Sequence, residues 1–479
     1  MLLKNLVPSI NNDLGNIEIS GITSDSREIK EGYAFVCIAG VTDDGHNYAQ
    51  KAVSLGASVV ITQRKMGVAN EIVVPDTREI YANMCATWFG NPADSLKLIG
   101  VTGTNGKTSI TYMLKSILEH AGHKVGLIGT IQNMIGDEAI ATKNTTPGVY
   151  ELNRLFALMR EKGCEYVVME VSSHALDQKR VCNLCFEAAI FTNLTQDHLD
   201  YHITMENYLA AKKELFKMCK IAIVNSDDDY CEQLISGLDC KIVSYSLGDS
   251  STYSAKAVNY YPASVEYELV SNDILNHIKF NTGGKFSVYN SMCAVVTALE
   301  LGMPISTVAE AIESIEGVKG RAESVPTGRD FTVIIDYAHT PDGLKNILKT
   351  FRDCKKNRVI ALFGCGGDRD KTKRSIMGNI AVRYADYVIV TSDNPRSENP
   401  GEIIKDILVG TQGSSTPVKV IENRIDAINY AVSIAQKNDI IVLAGKGHET
   451  YQILNTGTIH LDEREIVKEA LEALKNKDF

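Results

Sequence analysis

The chain has 479 residues, of which 44% are hydrophobic, and carries a formal net charge of −10. At about 150 residues per domain, this length predicts about three domains and a core large enough for an enzyme. The acidic balance disfavours a surface for nucleic acid or anionic membranes, because such surfaces need clustered Lys and Arg. No apolar run reaches the roughly 18 residues of a membrane span, and the N-terminal segment lacks the apolar core of a secretory signal. We therefore expect a cytoplasmic protein with small-molecule partners.

The chain divides into three segments by pattern, which together predict an α/β fold of three domains. Residues 1–90 carry short strands, for example 33–39 and 57–62, and predict a small α/β domain. In residues 91–317, strand-like runs that end in polar residues alternate with helical stretches, which is typical of a mostly parallel, doubly wound sheet. Residues 318–479 repeat this alternation and predict a Rossmann-like domain. The predicted strands of these two segments are 96–101, 166–169, 188–191, 221–224, 331–335, 359–363, 387–390 and 440–443.

The first distinctive motif lies at residues 102–108, between the apolar run 96–101 and a predicted helix over 110–121. A strand, a glycine-rich turn and a helix start can bind nucleotide phosphates through backbone N–H groups, with Lys107 neutralising charge and the Thr108 hydroxyl binding Mg²⁺. The generic motif requires glycine at position 101, where this chain has Val101. Only the second half of the motif is therefore present. The flanking strand and helix favour a nucleotide site over a solvated turn.

Polar residues follow two later strands of the same segment. Glu170 follows the run 166–169, where a carboxylate oxygen can bind a nucleotide-associated Mg²⁺. Asp197 and His198 follow the run 188–191, and a helix cap beside a surface histidine is the alternative interpretation. Because the carboxyl ends of parallel strands share one sheet edge, proximity to the phosphate loop favours a functional role. Lys212 lies in a helical stretch, in which an exposed lysine is the default expectation.

Several ordered motifs resemble those of the Mur ligase family of peptidoglycan synthesis. They are TGTNGKT at 102–108, MEVSSHALDQKR at 169–180, TNLTQDHLDYH at 192–202, YLAAK at 208–212, DYAHTP at 336–341, GCGGDRDK at 364–371, DNPR at 393–396 and GKGHE at 445–449. The similarity covers essentially the whole chain. Within the family it is to members that add the third residue of the stem peptide to UDP-N-acetylmuramoyl-L-alanyl-D-glutamate. The resemblance implies an ATP-dependent amide ligase that activates a substrate carboxylate as an acyl phosphate.

The resemblance also implies roles for the nucleotide and metal sites. ATP would be bound by Gly103, Thr104, Asn105, Gly106, Lys107, Thr108, Asn290, Arg321 and Asp336. One Mg²⁺ would be held by Thr108 and Glu170, with Thr130 nearby, and a second by Glu170 and neutral His198. Lys107, Glu170, His198 and Lys212 form the catalytic set.

The family uses a lysine in the position of Lys212 as a carbamate, which turns a cation into an anion that supports the second Mg²⁺. Lys213 is adjacent and carries the same charge, but the spacing from Tyr208 and Phe216 favours Lys212. An amine must be neutral to react with CO₂. We therefore expect burial to lower the pKa of Lys212.

The resemblance distributes substrate recognition over the three segments and places the UDP-substrate on the first two. In the first segment, the loops 23–27 and 40–45 are similar to those that hold the uridine nucleotide, with Ser26 the strongest candidate. Ordinary turn chemistry explains their Ser, Asp and Gly residues nearly as well. In the central segment the implied contacts are Asn144, Thr145, Thr146, Ser172, Gln178 and Arg180.

The third segment is expected to select the incoming amino acid, either meso-diaminopimelate or L-lysine. These differ by one carboxylate at the end of the side chain, and the arginine fork of Arg396 can hold a carboxylate with two hydrogen bonds. L-lysine would leave the guanidinium unpaired, so we expect diaminopimelate. The implied contacts are Arg369, Asp393, Asn394, Pro395, Arg396, Gly445 and Glu449. An exposed arginine on a proline turn is the alternative interpretation of 393–396.

Three alternatives stay open at this stage. The first is the same ligase with L-lysine as its amino acid. A folylpolyglutamate-type ligase shares the form of the phosphate loop, but the extra N-terminal segment and the 393–396 motif disfavour it. The third is a non-catalytic nucleotide-binding or scaffold protein, which the presence of Lys107, Thr108, Glu170, His198 and Lys212 disfavours. We expect a monomer.

Overall fold

The computed structural model of the chain describes residues 1–10, 13–40, 43–248 and 250–475. The chain forms two compact units, one of residues 1–245 with 296–298 and one of residues 246–295 with 299–479. Both units mix helices with sheets of parallel strands, so the predicted α/β class is confirmed. None of the helices formed by the described residues combines the length and the apolar character that a membrane crossing requires.

The elements of the first unit alternate along the chain. Strands β1–β12 are Gly21–Thr23, Tyr33–Val36, Val59–Thr62, Glu71–Val73, Lys97–Thr102, Val125–Ile128, Asn133–Ile135, Glu138–Ile140, Tyr166–Glu170, Phe186–Phe191, Cys219–Asn225 and Lys241–Ser246. Helices α1–α9 are Leu3–Leu6, Ala49–Ser54, Thr77–Trp88, Lys107–His120, Val149–Glu161, Ser173–Asp177, Leu199–His202, Met205–Lys213 and Cys231–Ile235.

Two sheets organise the first unit. Strands β1 to β4 form a small parallel sheet in sequence order. The larger sheet has the order β12-β11-β10-β5-β9-β6 with all neighbours parallel, and β7 and β8 extend it in antiparallel fashion beyond β6. The carboxyl ends of β5, β9 and β10 therefore lie side by side at one edge. Crevices at this edge are the usual ligand sites of parallel sheets.

The phosphate motif follows from the burial of β5 and α4. Strand β5 is buried from its second residue to its last, as expected for a strand covered on both faces. Helix α4 buries residues three and four apart, namely Ile110, Met113, Leu114, Ile117 and Leu118, which is the apolar stripe of a helix packed on a sheet. The start of α4 is thereby fixed at the end of the central strand.

The elements of the second unit follow in chain order. Strands β13–β23 are Tyr253–Tyr260, Val265–Ser271, Ile274–Phe280, Glu323–Val325, Thr332–Asp336, Val359–Phe363, Tyr387–Val390, Val418–Val420, Ile440–Ala444, Tyr451–Leu454 and Gly457–His460. Helices α10–α16 are Lys285–Glu300, Ile305–Ser314, Pro341–Cys354, Thr372–Tyr384, Pro400–Val409, Arg424–Ser433 and Glu463–Lys475.

The main sheet of the second unit has the order β16-β17-β21-β18-β19-β20 and is parallel except for β16. Its four central strands coincide with the predicted runs to within a residue at either end. Strands β13, β14 and β15 form an antiparallel meander that the sequence analysis missed. In β14 the buried Val265, Tyr267 and Leu269 alternate with less buried residues, a period-two signal that was present in the sequence.

Candidate functional site

The glycine-rich loop between β5 and α4 has the conformation that only glycine adopts easily. Gly103 has a φ of +147°, and a Cβ atom built on it would lie 1.8 Å from the Thr192 Oγ1 atom. Gly106 has a φ of +89° and precedes the first residue of α4, Lys107. The Lys107 ammonium donates hydrogen bonds to the carbonyl oxygens of Gly103 at 2.9 Å and Thr104 at 3.0 Å. The loop is therefore compact, and the Lys107 ammonium is bound by its carbonyl oxygens.

The segment after β10 supports this loop. The Thr104 N–H donates to the Asn193 carbonyl, and the Asn105 N–H donates to the Asn193 side-chain oxygen, both at 2.9 Å. The Thr192 hydroxyl donates to the Asn105 carbonyl at 2.6 Å, and the Thr104 hydroxyl donates to the Thr195 carbonyl at 3.2 Å. The sequence analysis did not single out Thr192 or Asn193 as supports. Their position directly after β10, the strand that pairs with β5 before the phosphate loop, was the signal that could have indicated this role.

We expect Gly103→Ala to destabilise the first unit and to weaken ATP binding. The new methyl group would overlap the Thr192 hydroxyl and would require a positive φ that alanine disfavours. Gly122→Ala is the matched control, because Gly122 has a φ of +91° but open space around its Cβ position. The free energy of unfolding, measured in denaturant, should fall by about 1–3 kcal/mol more for Gly103→Ala than for the control. Equal losses would contradict the proposed overlap.

Glu170 ends β9 and its side chain is buried. One carboxylate oxygen accepts hydrogen bonds from the Thr108 and Thr130 hydroxyls, both at 3.0 Å, and the other accepts from the Thr130 N–H at 2.8 Å. A Cβ atom on Gly129 would lie 2.5 Å from this second oxygen, so glycine permits the close approach. Two of the residues predicted near one Mg²⁺, Thr108 and Thr130, therefore both contact the third, Glu170, at the edge of the sheet.

This set of oxygen atoms fits Mg²⁺. Hydroxyl and carboxylate oxygens are the ligands that the ion prefers, and it usually takes only one or two carboxylates from the protein beside phosphate and water. Across the described residues, no group of three or more His, Cys, Asp or Glu side chains is arranged to hold a metal. The donor set of Thr108, Thr130 and Glu170 thus suits an ion that arrives with a nucleotide.

Lys212 lies in α8 with its side chain buried, and its ammonium lies 4.4 Å from the centre of the Tyr208 ring. Of the carboxylates that the structure describes, none forms an ion pair with it. Burial, and secondly the charge of Lys107, place the pKa of Lys212 well below its ordinary value, while Asp197 acts in the opposite direction. The Tyr208 hydroxyl is within hydrogen-bonding distance, 3.2 Å, of the Thr104 hydroxyl. Helix α8 is therefore attached to the phosphate loop.

The neighbouring Lys213 has a different environment. Its ammonium donates to the carbonyl oxygens of Gln233 at 3.0 Å and Ser236 at 2.6 Å, in exposed hydrogen bonds. Lys212, in contrast, is buried and has the lowered pKa that a reactive neutral amine requires.

His198 precedes α7 with a left-handed backbone, at a φ of +53°. Its ring lies 4.8 Å from the His174 ring and 6.1 Å from the Tyr208 ring, between ring centres. Burial lowers the pKa of His198, against the effect of Asp197. The imidazole is consequently neutral at neutral pH, which is the form that binds metals. His174 was not singled out from the sequence.

The predicted substrate residues of the central segment form a hydrogen-bonded group beside Glu170. The Thr146 hydroxyl donates to the Glu170 carbonyl at 2.9 Å and accepts from the Ser172 N–H at 3.0 Å. The Arg180 guanidinium donates to the Thr146 carbonyl at 2.7 Å and to the Gln178 side-chain oxygen at 2.7 Å. The structure therefore brings these four residues together at the sheet edge.

The remaining substrate candidates have simpler surroundings. The Thr145 and Thr130 hydroxyls are 3.0 Å apart, and Asn144 is exposed. Ser26 lies in the loop after β1, beside an exposed ion pair of Asp25 and Arg27 at 2.6 Å. In the candidate uridine loop 40–45, positions 41 and 42 lie outside the described residues.

In the second unit, the loops after β18 and β19 adjoin. The Arg396 guanidinium donates to the Gly367 carbonyl at 2.7 Å, and the Arg396 backbone has a φ of +52°. Pro395 contacts Gly367 as well, since a Cβ atom on the glycine would lie 2.0 Å from the Pro395 carbonyl oxygen. Arg369 is exposed on the first of the two loops. Both candidate carboxylate-binding arginines therefore lie on one surface of the second unit.

A buried arginine that the sequence analysis missed joins these loops. Arg374 donates to the Glu398 carboxylate at 2.9 Å and to the Asp406 carboxylate at 2.9 Å. The Asp368 N–H donates to Glu398 at 2.6 Å, and the Ser397 hydroxyl donates to Asp368 at 2.7 Å. The Arg374 guanidinium lowers the pKa of Glu398 to about 2. The anchored carboxylates hold the two arginine-bearing loops in register.

The predicted ATP contacts of the second unit lie on three elements. Asn290 is buried in α10. The Asp336 carboxylate, at the end of β17, accepts from the N–H groups of Ala322 at 2.7 Å and Ala338 at 2.8 Å, and burial raises its pKa. The Arg321 guanidinium lies 4.9 Å from the centre of the Tyr337 ring. Arg321 and Asp336 therefore border the same turn after β17.

Comparison with known proteins assigns the class of protein that this fold and site define. Three family models match successive stretches: "Mur ligase family, catalytic domain" over residues 18–88, "Mur ligase middle domain" over residues 101–298 and "Mur ligase, glutamate ligase domain" over residues 320–447. The chain belongs to the Mur ligase family.

Particular relatives span the whole chain. A protein of Caldanaerobacter subterraneus subsp. tengcongensis, named UDP-N-acetylmuramoyl-L-alanyl-D-glutamate--2,6-diaminopimelate ligase, is 49% identical over 460 residues, which is 95% of either chain. A solved structure of a ligase with that name is 32% identical, covers 99% of both chains and has a TM-score of 0.76. The MurF ligase of Thermotoga maritima, solved in complex with ADP, is 19% identical over 97% of this chain and 100% of its own, with a TM-score of 0.62, and shares the fold.

Proposed function

We propose that the chain is an ATP-dependent ligase that joins meso-diaminopimelate to the D-glutamyl carboxylate of UDP-N-acetylmuramoyl-L-alanyl-D-glutamate. Membership of the Mur ligase family and the names of relatives that match nearly the full chain support this assignment. The observation that carries it is the convergence of the phosphate loop, Glu170 and Lys212 at one edge of the large sheet. We also propose domains at residues 1–90, 91–317 and 318–479, each of which contains one of the three family-model matches.

The reaction needs two steps, since a carboxylate and an amine do not condense unaided in water. The substrate carboxylate attacks the γ-phosphorus of ATP, and the bond between this phosphorus and the β-phosphate oxygen breaks. ADP departs, and the substrate carries the phosphoryl group as an acyl phosphate. The amine then attacks the acyl carbon, the bond to phosphate breaks, and inorganic phosphate and a proton leave. Lys107 and the N–H groups at the start of α4 are proposed to hold the phosphates, because two anions must meet.

Mg²⁺ is proposed to bind Thr108 and Glu170 near Thr130, with a second ion on Glu170 and His198, and when bound it neutralises phosphate charge. The residues of the chain are proposed to bind and orient the nucleotide. Gly103, Thr104, Asn105 and Gly106 shape the loop around the nucleotide. In the second unit, Asn290, Arg321 and Asp336 are proposed to contact ATP.

Lys212 is proposed to act as a carbamate. The neutral amine attacks CO₂, a bond forms between nitrogen and carbon, and one proton of the nitrogen passes to solvent. The product is an anion in place of a buried amine that lacks an ion-pair partner among the described carboxylates. The lowered pKa of Lys212 supports the step, because burial favours the neutral amine that reacts with CO₂.

The substrates are proposed to lie on separate groups of residues. Ser26, Asn144, Thr145, Thr146, Ser172, Gln178 and Arg180 would hold the UDP-substrate. Diaminopimelate would meet Arg369, Asp393, Asn394, Pro395, Arg396, Gly445 and Glu449. A monomer would suffice for this arrangement, and sedimentation of the purified chain measures its oligomeric state.

The purified chain should release phosphate only when ATP, Mg²⁺, the UDP-dipeptide and meso-diaminopimelate are all present. L-Lysine in place of diaminopimelate should support far slower release, because it lacks the carboxylate that Arg396 is proposed to bind. The measurement is phosphate release in the complete mixture and in mixtures that lack one component. Faster turnover with L-lysine would assign the alternative amino acid. Phosphate release that depends on folate, or ATP binding without turnover in every mixture, would overturn the proposal.

A further inference from the structure

Lys446 is a fully buried lysine that the proposed reaction has not used. Its ammonium donates to the Glu449 carboxylate at 2.8 Å and to the Asn394 side-chain oxygen at 3.1 Å. The Asn394 side-chain nitrogen donates to the same Glu449 oxygen at 2.9 Å, and the Ile453 N–H donates to the Asn394 oxygen at 2.9 Å. A buried cation thus fixes the two residues that are proposed to bind the far end of the amino-acid substrate.

Two other charged residues near Lys446 and Glu449, namely Asp393 and Arg396, form no ion pair with the described residues. Asp393 is buried, and its Oδ2 atom has no hydrogen-bond partner within the described part of the chain. A Cβ atom on Gly445 would lie 2.6 Å from that oxygen, so the glycine keeps the space before it open. Among the described carboxylates, none forms an ion pair with Arg396, whose guanidinium reaches only carbonyl oxygens. One acceptor and one cation are therefore available to a ligand.

The four charges lie around one small region. Asn394 follows Asp393 in the chain; its carbonyl oxygen accepts from the Arg396 guanidinium at 3.4 Å, and its side chain contacts Lys446 and Glu449. The Tyr451 ring centre lies 5.6 Å from the Lys446 ammonium. The formal charges of Lys446, Glu449, Asp393 and Arg396 cancel. A neutral region with separated positive and negative groups complements a ligand group that is itself neutral and carries both charges.

We propose that Lys446 is a positioning residue that neutralises Glu449 and so makes the site select an amino acid whose side chain ends as a zwitterion. The inference rests on the proposed function and extends it. The ammonium of such an end pairs with Asp393 and a Glu449 oxygen, and its carboxylate pairs with Arg396. The side chain of L-lysine ends as a cation, which gains less from a carboxylate already paired with Lys446.

A change in the net charge of Lys446, Glu449, Asp393 and Arg396 should shift the preference between meso-diaminopimelate and L-lysine. Lys446→Met keeps most of the buried volume and leaves one net negative charge, which favours a cationic end. The ratio of kcat/KM for meso-diaminopimelate to that for L-lysine should fall by about tenfold, chiefly through the KM values. Glu449→Gln leaves one net positive charge, so the ratio should rise. The double variant restores neutrality, and its ratio should return to within about threefold of the parent value.

Lys437→Met is the matched control, because its ammonium lies 3.5 Å from Asp330 at an exposed position and its ratio should not change. Thermal unfolding of each variant separates folding from selection. If Lys446→Met does not fold, the opposite shift in Glu449→Gln still tests the proposal. Unchanged ratios in the single variants, or equal losses for both amino acids, would overturn it. The parent chain tests the proposed function separately, through its turnover with diaminopimelate.

Discussion

Lys212→Met should lose turnover by about 1000-fold, the scale expected when one preorganised electrostatic group is removed from an active site. Methionine is similar in length and apolar, but it cannot form a carbamate. The same change removes a buried amine that has no ion-pair partner among the described carboxylates. Stability should therefore be unchanged or higher. The assay is phosphate release under complete conditions, together with thermal unfolding of the same preparation.

Lys213→Met is the matched control, because it changes the same residue type one position away. Its ammonium holds only exposed carbonyl oxygens, so the variant should keep turnover close to that of the parent. The parent should also lose activity when CO₂ is depleted and regain it on addition of bicarbonate. Lys212→Met should show no such response. Retention of more than a tenth of the activity in Lys212→Met, or an equal loss in Lys213→Met, would exclude the proposed carbamate.

Arg396→Ala should raise the KM for diaminopimelate by about 100-fold or more, while the KM values for ATP and the UDP-substrate change little. A half-buried guanidinium that holds a carboxylate with two hydrogen bonds contributes about 2–5 kcal/mol when one partner is removed. The measurement is initial-rate kinetics with each substrate varied in turn at saturating levels of the others. The expected preference between diaminopimelate and L-lysine should also shrink, because the variant no longer has the cation that distinguishes them.

Arg383→Ala provides the control, because Arg383 is an exposed arginine of α13 in the same unit. This variant should leave all three KM values unchanged. Equal losses for the three substrates in Arg396→Ala would point to a general disturbance of the second unit. Such a result would refute the assigned role of Arg396.

Much of the fold followed from local patterns. The predicted runs at 359–363 and 387–390 coincide with β18 and β19, since buried parallel strands read as short apolar segments bounded by polar residues. The meander of β13 to β15 was missed although its alternation is visible in β14. Its strands pair antiparallel within one short stretch of chain, without the intervening helices that mark a doubly wound sheet.

The supports of the site were less accessible to sequence reasoning. Thr192 and Asn193 lie 87 or more positions from the loop that they hold, and Arg374 lies 24 positions before its partner Glu398. Hydrogen bonds over such separations depend on how the chain returns to the same sheet edge. Residue type and spacing alone do not specify which of many polar side chains will meet there.

The sequence by itself determined the α/β class and the chemical types that stand at the ends of strands, because both depend on local periodicity and on motif residues. Only the tertiary structure decided that Lys212 and Lys446 are buried while Lys213 is half-buried, with its ammonium in exposed hydrogen bonds. The side chains of adjacent residues on a helix point about 100° apart, so Lys212 and Lys213 lie on different faces of α8. Which face is removed from water, and hence which lysine changes its pKa or neutralises a carboxylate, depends on the packing of distant segments around it.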